Sequence, residues 1–215
     1  MWKKTMVSAM LLAMLAGCGD GAPQEKPAGE PEEVPQEAEV QGNANTSWLP
    51  EGTELCLSQT EPLPELAERI GEIYQIPEEE WGDTRYYYEY VDLNDDGVEE
   101  ILAVVIGMYT SGSGGDSALL VQPAGGMNVT QRFTLVRMPI LISDQKTDGA
   151  HDLIVLRSGG GSEPAYVRLT CTDGIYSNPA DGEVLESLEG ITGRAILCDD
   201  VMAEDGTVLT LAGPR

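Results

Sequence analysis

Two acidic stretches, about fifty residues apart, set the pattern of this sequence. The first, Asp92-Leu93-Asn94-Asp95-Asp96-Gly97-Val98-Glu99-Glu100, carries side-chain oxygens at its positions 1, 3, 5 and 9 and a glycine at position 6. A loop with that spacing can fold its oxygens around one hard cation, which takes about six to eight oxygen ligands at roughly 2.3–2.6 Å. Gly97 supplies the positive φ that the turn needs. The second stretch, Asp144-Gln145-Lys146-Thr147-Asp148-Gly149-Ala150-His151-Asp152, keeps positions 1, 5, 6 and 9 but has Lys146 at position 3. An ammonium has no lone pair to donate. Lys146 is therefore expected among Asp144, Asp148 and Asp152 as an internal counter-ion, leaving one metal-competent loop and one degraded copy.

The likeness extends beyond the loops. Asp92, Asp96, Gly97, Glu100, Ile101 and Leu102 match Asp144, Asp148, Gly149, Asp152, Leu153 and Ile154, and a glycine loop follows each time, Ser111-Gly112-Ser113-Gly114-Gly115 or Ser158-Gly159-Gly160-Gly161. The repeated unit is strand, acidic loop, strand, glycine loop, strand, over residues 85–122 and 137–170. Two units are too few to close a propeller ring. The expectation is an α+β, mainly β domain, built as an antiparallel sheet or small sandwich of the two units with one N-terminal helix packed on it. That helix is predicted over 63–74, where Leu66, Ile70 and Ile73 share a face, Pro64 suits the first turn and Pro77 stops the run. Strands are predicted at 85–91, 100–107, 117–122, 130–136, 139–142, 153–156, 165–170, 195–198 and 207–211.

The N-terminus carries an address. Lys3 and Lys4 precede an apolar run at 6–16 that is short for a membrane span, and the run ends in Leu15-Ala16-Gly17-Cys18. That ending resembles a bacterial lipobox, which implies a signal peptide over 1–17 and a diacylated Cys18 as the mature first residue. Two acyl chains anchor stably where one is marginal. The expected location is the cell membrane or outer membrane, with the domain outside the cytoplasm. Residues 18–47, rich in Pro, Glu, Gly, Ala and Gln, offer little apolar surface to offset ordering entropy and read as a disordered tether. One β-rich domain is expected over 48–215.

The formal net charge is −25, from 37 Asp and Glu against 12 Lys and Arg. Such a balance excludes nucleic acid, whose phosphates need clustered bases, and leaves anchoring to the acyl chains rather than to anionic lipid. After acylation three cysteines remain, Cys56, Cys171 and Cys198, enough for one disulfide and a leftover thiol, or for none. Cys171 and Cys198, both in strand-like runs, are the pair this pattern favours.

The Asp92 stretch resembles the calcium loops of FG-GAP and VCBS repeats. That resemblance implies one Ca2+ held by Asp92, Asn94, Asp96, the Val98 carbonyl and Glu100. Residues 63–179 also resemble a family of uncharacterised bacterial envelope proteins that join a short helix, an Arg-Tyr-rich strand, an Asp-Leu-Asn-Gly-Asp-Gly loop and a Cys-Gly-Ser-Gly-Gly-Cys loop. Here Arg85-Tyr86-Tyr87, Asp92-Leu93-Asn94, residues 111–116, Ser143-Asp144, His151-Asp152-Leu153 and residues 158–161 carry the match, while Ser111 and Asp116 stand where the pattern has cysteines.

Catalytic constellations are sparse. The glycine loops match neither a phosphate-binding loop nor a nucleophile elbow and read as turns. His151, the single histidine, reads as an exposed hairpin residue. Tyr86, Tyr87, Tyr88 and Tyr90 could stack on sugar rings, although strand alternation sends at least half of them to the core. The reading is a cell-envelope lipoprotein whose calcium-stabilised domain binds an envelope protein or wall polymer. The alternative is a hydrolase of wall or dietary glycan using carboxylates that sequence does not single out.

Overall fold

A computed structural model describes residues 45–203 and 207–215; the expected signal peptide, the expected acylation at Cys18 and the expected tether up to residue 44 lie outside the described residues. In chain order the first elements are β1 (Glu54–Leu55), α1 (Pro64–Tyr74), a 3-10 turn (Glu78–Glu80), β2 (Arg85–Val91), β3 (Glu100–Ile106), β4 (Ser111–Gly112) and β5 (Gly115–Gln122). Then come β6 (Asn128–Val136), β7 (Ile140–Thr147), β8 (Ala150–Gly159), β9 (Ser162–Leu169), β10 (Cys171–Thr172) and β11 (Ile175–Tyr176). The last are β12 (Glu183–Leu185), β13 (Gly193–Ile196), β14 (Leu209–Thr210) and β15 (Gly213–Pro214). The fold is α+β and mainly β, as the strand runs and the single helical stripe foretell.

Two sheets face each other. One runs β15-β14-β2-β3-β5, with β4 beside the start of β5 and β6 on its other edge; the second runs β1-β13-β7-β8-β9-β12. All pairings are antiparallel except β1 with β13. The segments matched in sequence fall in different sheets: β2-β3-β5 is a meander in the first, β7-β8-β9 a meander in the second. Ser111 and Asp116, the positions at which the envelope pattern has cysteines, are cross-strand partners of β4 and β5.

Three apolar layers hold this together. Tyr87, Leu102, Val104, Leu120 and Phe133 of the first sheet meet Ile142, Leu153, Val155, Val167 and Ile196 of the second. On the other side of the first sheet, Leu66, Ala67 and Ile70 of α1 cover Tyr86, Tyr88, Ile101, Ala103 and Val105. The outer face of the second sheet, with Leu141 and Ile154, is covered by Trp48 and Ile191. Both sheets are thus buried on both faces, which is why 101–105 and 153–155 are continuously apolar instead of alternating. Each fully buried Leu or Ile contributes about 1.5–3 kcal/mol. The same two-sided burial takes three of the four tyrosines into the core, where alternation alone accounts for two. Tyr86, Tyr87 and Tyr88 are all buried, the Leu63 N–H donates to Tyr86 Oη at 3.0 Å, and Tyr88 Oη donates to Glu61 O at 2.8 Å. They are core, not a sugar platform.

Helix α1 begins at Pro64 and ends with Gln75 left-handed at φ 53°, where the Ile76 N–H closes on Gly71 O at 2.9 Å. Gly71 is required by packing: a Cβ there would lie 2.7 Å from the Trp81 ring, whose Nε1 donates to Ile76 O at 3.1 Å.

Candidate metal loop and the cleft beside it

The chain between β2 and β3 forms no strand, and its side chains fold back on its own N–H groups. Asp92 is the hub: Oδ1 accepts from the N–H groups of Asn94 at 3.3 Å and Asp96 at 3.2 Å, and Oδ2 accepts from Gly97 at 2.8 Å. Asn94 Oδ1 accepts from the Asp96 N–H at 3.0 Å, Asp96 Oδ1 from the Val98 N–H at 2.7 Å, and Glu100 Oε2 from the Leu93 N–H at 3.3 Å. Asp95 and Gly97 take positive φ, 60° and 82°, which turns the chain twice within three residues. Asp92, Asn94, Asp96, Val98 and Glu100 thus belong to one turn. Burial works to raise the Asp92 carboxyl, but the N–H groups of Gly97, Asn94 and Asp96 outweigh it and hold it below the usual carboxylate range. Glu100 moves the opposite way: burial pushes it up, the Leu93 N–H opposes, and the nearby charges of Asp96 and Asp92 add to the rise.

The donor set fits calcium in kind, since every group is a hard oxygen on a short, flexible loop. In this arrangement the carboxylates turn toward loop N–H groups, and Asn94 Nδ2 donates to Asp96 Oδ2 at 2.9 Å. Among the described residues no three His, Cys, Asp or Glu side chains are gathered at metal distance. A cation there would have to displace the Asn94–Asp96 contact, because Asp96 Oδ2 is already occupied by it.

The second acidic stretch is built differently. Strand β7 continues to Thr147 and β8 resumes at Ala150, leaving Asp148 and Gly149 as a two-residue turn with φ of 51° and 84°. Positive φ at both positions is the hairpin turn for which Asp-Gly is suited. Residues that would form a nine-residue cage are instead paired: Lys146 with His151, and Thr147 with Ala150. Asp144 is occupied by Thr192, whose Oγ1 donates to Asp144 Oδ2 at 2.6 Å.

Lys146 is not the counter-ion of its own loop. It pairs with Asp95 of the first loop, and not with Asp144, Asp148 or Asp152. As cross-strand partners, Lys146 and His151 share a face, and that face meets the first loop. His151 is not an exposed hairpin residue either; its side chain is 17% exposed. Its Nδ1 lies 2.6 Å from Ser143 O, its Nε2 lies 3.2 Å from Asp95 Oδ1, and its backbone N–H donates to Leu93 O at 2.7 Å. Nothing in the sequence singles out Asp95, which sits at the loop position that carries no ligand, because its partners come from the other sheet. Lys146 and then His151 hold its carboxyl below the usual range.

This junction borders a cleft of about 390 Å³ lined by Glu54, Asp92, Asp95, Asp144, His151 and Arg194. Behind the loop, a smaller pocket of about 170 Å³ is lined by Glu100, Thr130, Cys171 and Tyr176, and Tyr176 Oη donates to His151 O at 2.8 Å. No family model, curated protein or solved structure matches this chain.

The three thiols are free. Cys171 pairs with Tyr176 across β10 and β11, whereas the Cys198 N–H donates to Cys56 O at 2.9 Å. The neighbour of Cys198 is thus Cys56 rather than Cys171, because β1 inserts beside β13.

Proposed function

We propose that this chain is an envelope lipoprotein: an acyl anchor on Cys18, a Pro-rich tether, and a calcium-stabilised β-sandwich that binds an envelope protein or wall polymer. The sequence Leu15-Ala16-Gly17-Cys18 supports the anchor. The calcium reading is carried by one observation, the oxygen set of Asp92, Asn94, Asp96 and Glu100 crowded into one turn with positive φ at Asp95 and Gly97. Burial and then the charges of Asp96 and Asp92 raise the Glu100 carboxyl, and a divalent cation placed among these groups would relieve that repulsion. Bound calcium would supply that charge. The chain's own part is to present the Val98 carbonyl, to keep Asp92 ionised, and to hold the loop against the second sheet through Asp95.

Binding of a wall polymer is favoured over binding of a protein by a groove of about 550 Å³ on the outer face of the second sheet. There the half-buried Tyr166 ring stacks on the buried Trp48 with ring centroids 5.9 Å apart, and Glu51, Ser187, Glu189 and Thr192 supply polar groups along the rim. A part-exposed ring with a polar border suits a sugar ring, which is apolar on its C–H face. The glycan-hydrolase alternative wants a raised and an ordinary carboxyl opposed across one cleft. Glu100, the carboxyl that burial raises, lines the smaller pocket, apart from Asp144 and His151 in the larger cleft.

Two measurements test this reading. Cys18→Ser is expected to shift the protein from the membrane to the soluble fraction; unchanged partitioning refutes the anchor. Co-sedimentation with purified wall polymer in calcium is expected to retain the wild type and to weaken with Tyr166→Ala, checked to melt cooperatively; equal retention of the two refutes the groove.

A further inference from the structure

The parallel ladder between β1 and β13 aligns Glu54 with Arg194 and Leu55 with Ala195, and it continues past both strand ends. The Cys56 N–H donates to Ala195 O at 2.8 Å, and the Cys198 N–H donates to Cys56 O at 2.9 Å. Leu197 lies at φ 55°, a bulge that skips one residue and sets Cys198 against Cys56. A carbonyl-to-amide bond of that length leaves the two Cα atoms about 5–6 Å apart, the span that a disulfide bridges. The Cys198 thiol also donates to Ala195 O at 3.5 Å. That carbonyl is the one receiving the Cys56 N–H, so the Cys198 sulfur lies against the Cys56 main chain. Cys198 is fully buried and Cys56 half-buried, so Cys56 is the thiol that an oxidant in solution meets first. Cys171 stands apart, in the ribbon it forms with Tyr176.

We propose that Cys56 and Cys198 form a disulfide that staples the first strand of the domain onto β13. The oxidant is a disulfide, of a protein or of a small thiol. The Cys56 thiolate attacks it, one oxidant thiol leaves, and a mixed disulfide remains on Cys56. The Cys198 thiolate then attacks the Cys56 sulfur and expels the second oxidant thiol. The two cysteines lose two protons and two electrons, which the oxidant takes up in becoming two thiols. Burial pushes the Cys198 thiol up to about 11 and raises Cys56 as well, so thiolate is scarce and the exchange slow. Such a bond is a structural staple, not a fast switch. Its formation in cells rests on the extracytoplasmic location proposed above, because that compartment supplies the oxidant; the geometry does not.

The test uses the purified full chain, reduced, shown to melt cooperatively, and then incubated with oxidised glutathione at mildly alkaline pH. Alkylation and peptide mapping are expected to find the Cys56 and Cys198 peptides joined, lighter by two hydrogens than the separate pair, with Cys171 alkylated. Cys198→Ala is expected to stop at a glutathione adduct on Cys56. Alkylation of both Cys56 and Cys198 in the folded wild type overturns the staple, as does linkage of either to Cys171. Recovery of the chain from a reducing compartment of cells would refute the proposed location while leaving this mapping unchanged, so the two ideas fail separately.

Discussion

His151 Nε2 lies 3.2 Å from Asp95 Oδ1, and this contact joins the two repeated units: Asp95 belongs to the acidic loop of the first sheet, His151 to the hairpin of the second. Lys146 reaches the other oxygen of the same carboxylate. The opposite end of the sandwich is joined by the two glycine loops, where Arg137 donates from Nε to Ser158 O at 3.0 Å and from Nη2 to Ser113 O at 2.9 Å. Charge thus helps to join the sheets at one end, and backbone carbonyls sharing one guanidinium join them at the other.

Asp95 gives the first contact a pH dependence. Its folded carboxyl is held low by Lys146 and His151. A depressed carboxyl adds stability above its unfolded pKa, about 3.9, and loses it as pH falls through the lower folded value. Wild-type melting temperature should therefore drop more steeply than that of Asp95→Asn below about pH 4. Parallel curves for the two proteins would show that the contact adds nothing in solution.

The two acidic stretches should respond differently to loss of an aspartate. Asp96→Ala should abolish calcium-dependent stabilisation, which for the wild type reaches about 2.7 kcal/mol at a hundredfold excess over Kd. Asp148→Ala should keep that response but start from a less stable protein. Asp148 holds φ 51° and its Oδ2 accepts from the Asp173 N–H at 2.9 Å, so its loss costs about 1–2 kcal/mol. Thermal melts with calcium or chelator read both, and a wild type indifferent to calcium would sink the metal reading.

Local chemistry in this sequence was legible wherever one segment decides its own state. The Leu66, Ile70 and Ile73 stripe and Pro64 mark α1 to within a residue, and the apolar runs at 101–105 and 153–155 mark β3 and β8. What stayed hidden depends on which sheet faces which. Tyr86 to Tyr88 look half-exposed until α1 covers one face and the second sheet the other. Asp148-Gly149 resembles Asp96-Gly97 in sequence, yet pairing of Lys146 with His151 lets β7 and β8 zip to a tight turn, whereas no ladder forms across 92–99. Lys146 is surrounded by acids along the chain and still finds its partner in the other repeat.

The glycine loops give a graded test of the second fastening. Gly159, at φ 90°, would place a Cβ 2.1 Å from Ser113 O, while Gly161, at φ 84°, has open space around it. Gly161→Ala carries only the left-handed backbone cost, about 1–2 kcal/mol. Gly159→Ala adds a clash with main chain that cannot give way locally, so its loss should exceed that of Gly161→Ala by about 1–3 kcal/mol. Denaturant melts compare them directly, and equal losses would mean the two glycine loops do not pack against each other.

Glu100 should separate metal binding from stability. Its carboxyl is raised, by burial first and by Asp96 and Asp92 in addition. A raised carboxyl favours the fold below the unfolded pKa, about 4.3, and that advantage is lost as pH rises through the folded value. At neutral pH the ionised group is therefore a burden on the metal-free protein. Glu100→Gln keeps the shape and removes the charge, so without calcium it should melt above the wild type at pH 7 and converge with it in acid. With calcium the order should reverse, because the variant has lost an anionic ligand while the wild type gains the binding energy. A variant that melts higher in both conditions would remove Glu100 from the ligand set and leave it a merely crowded carboxylate.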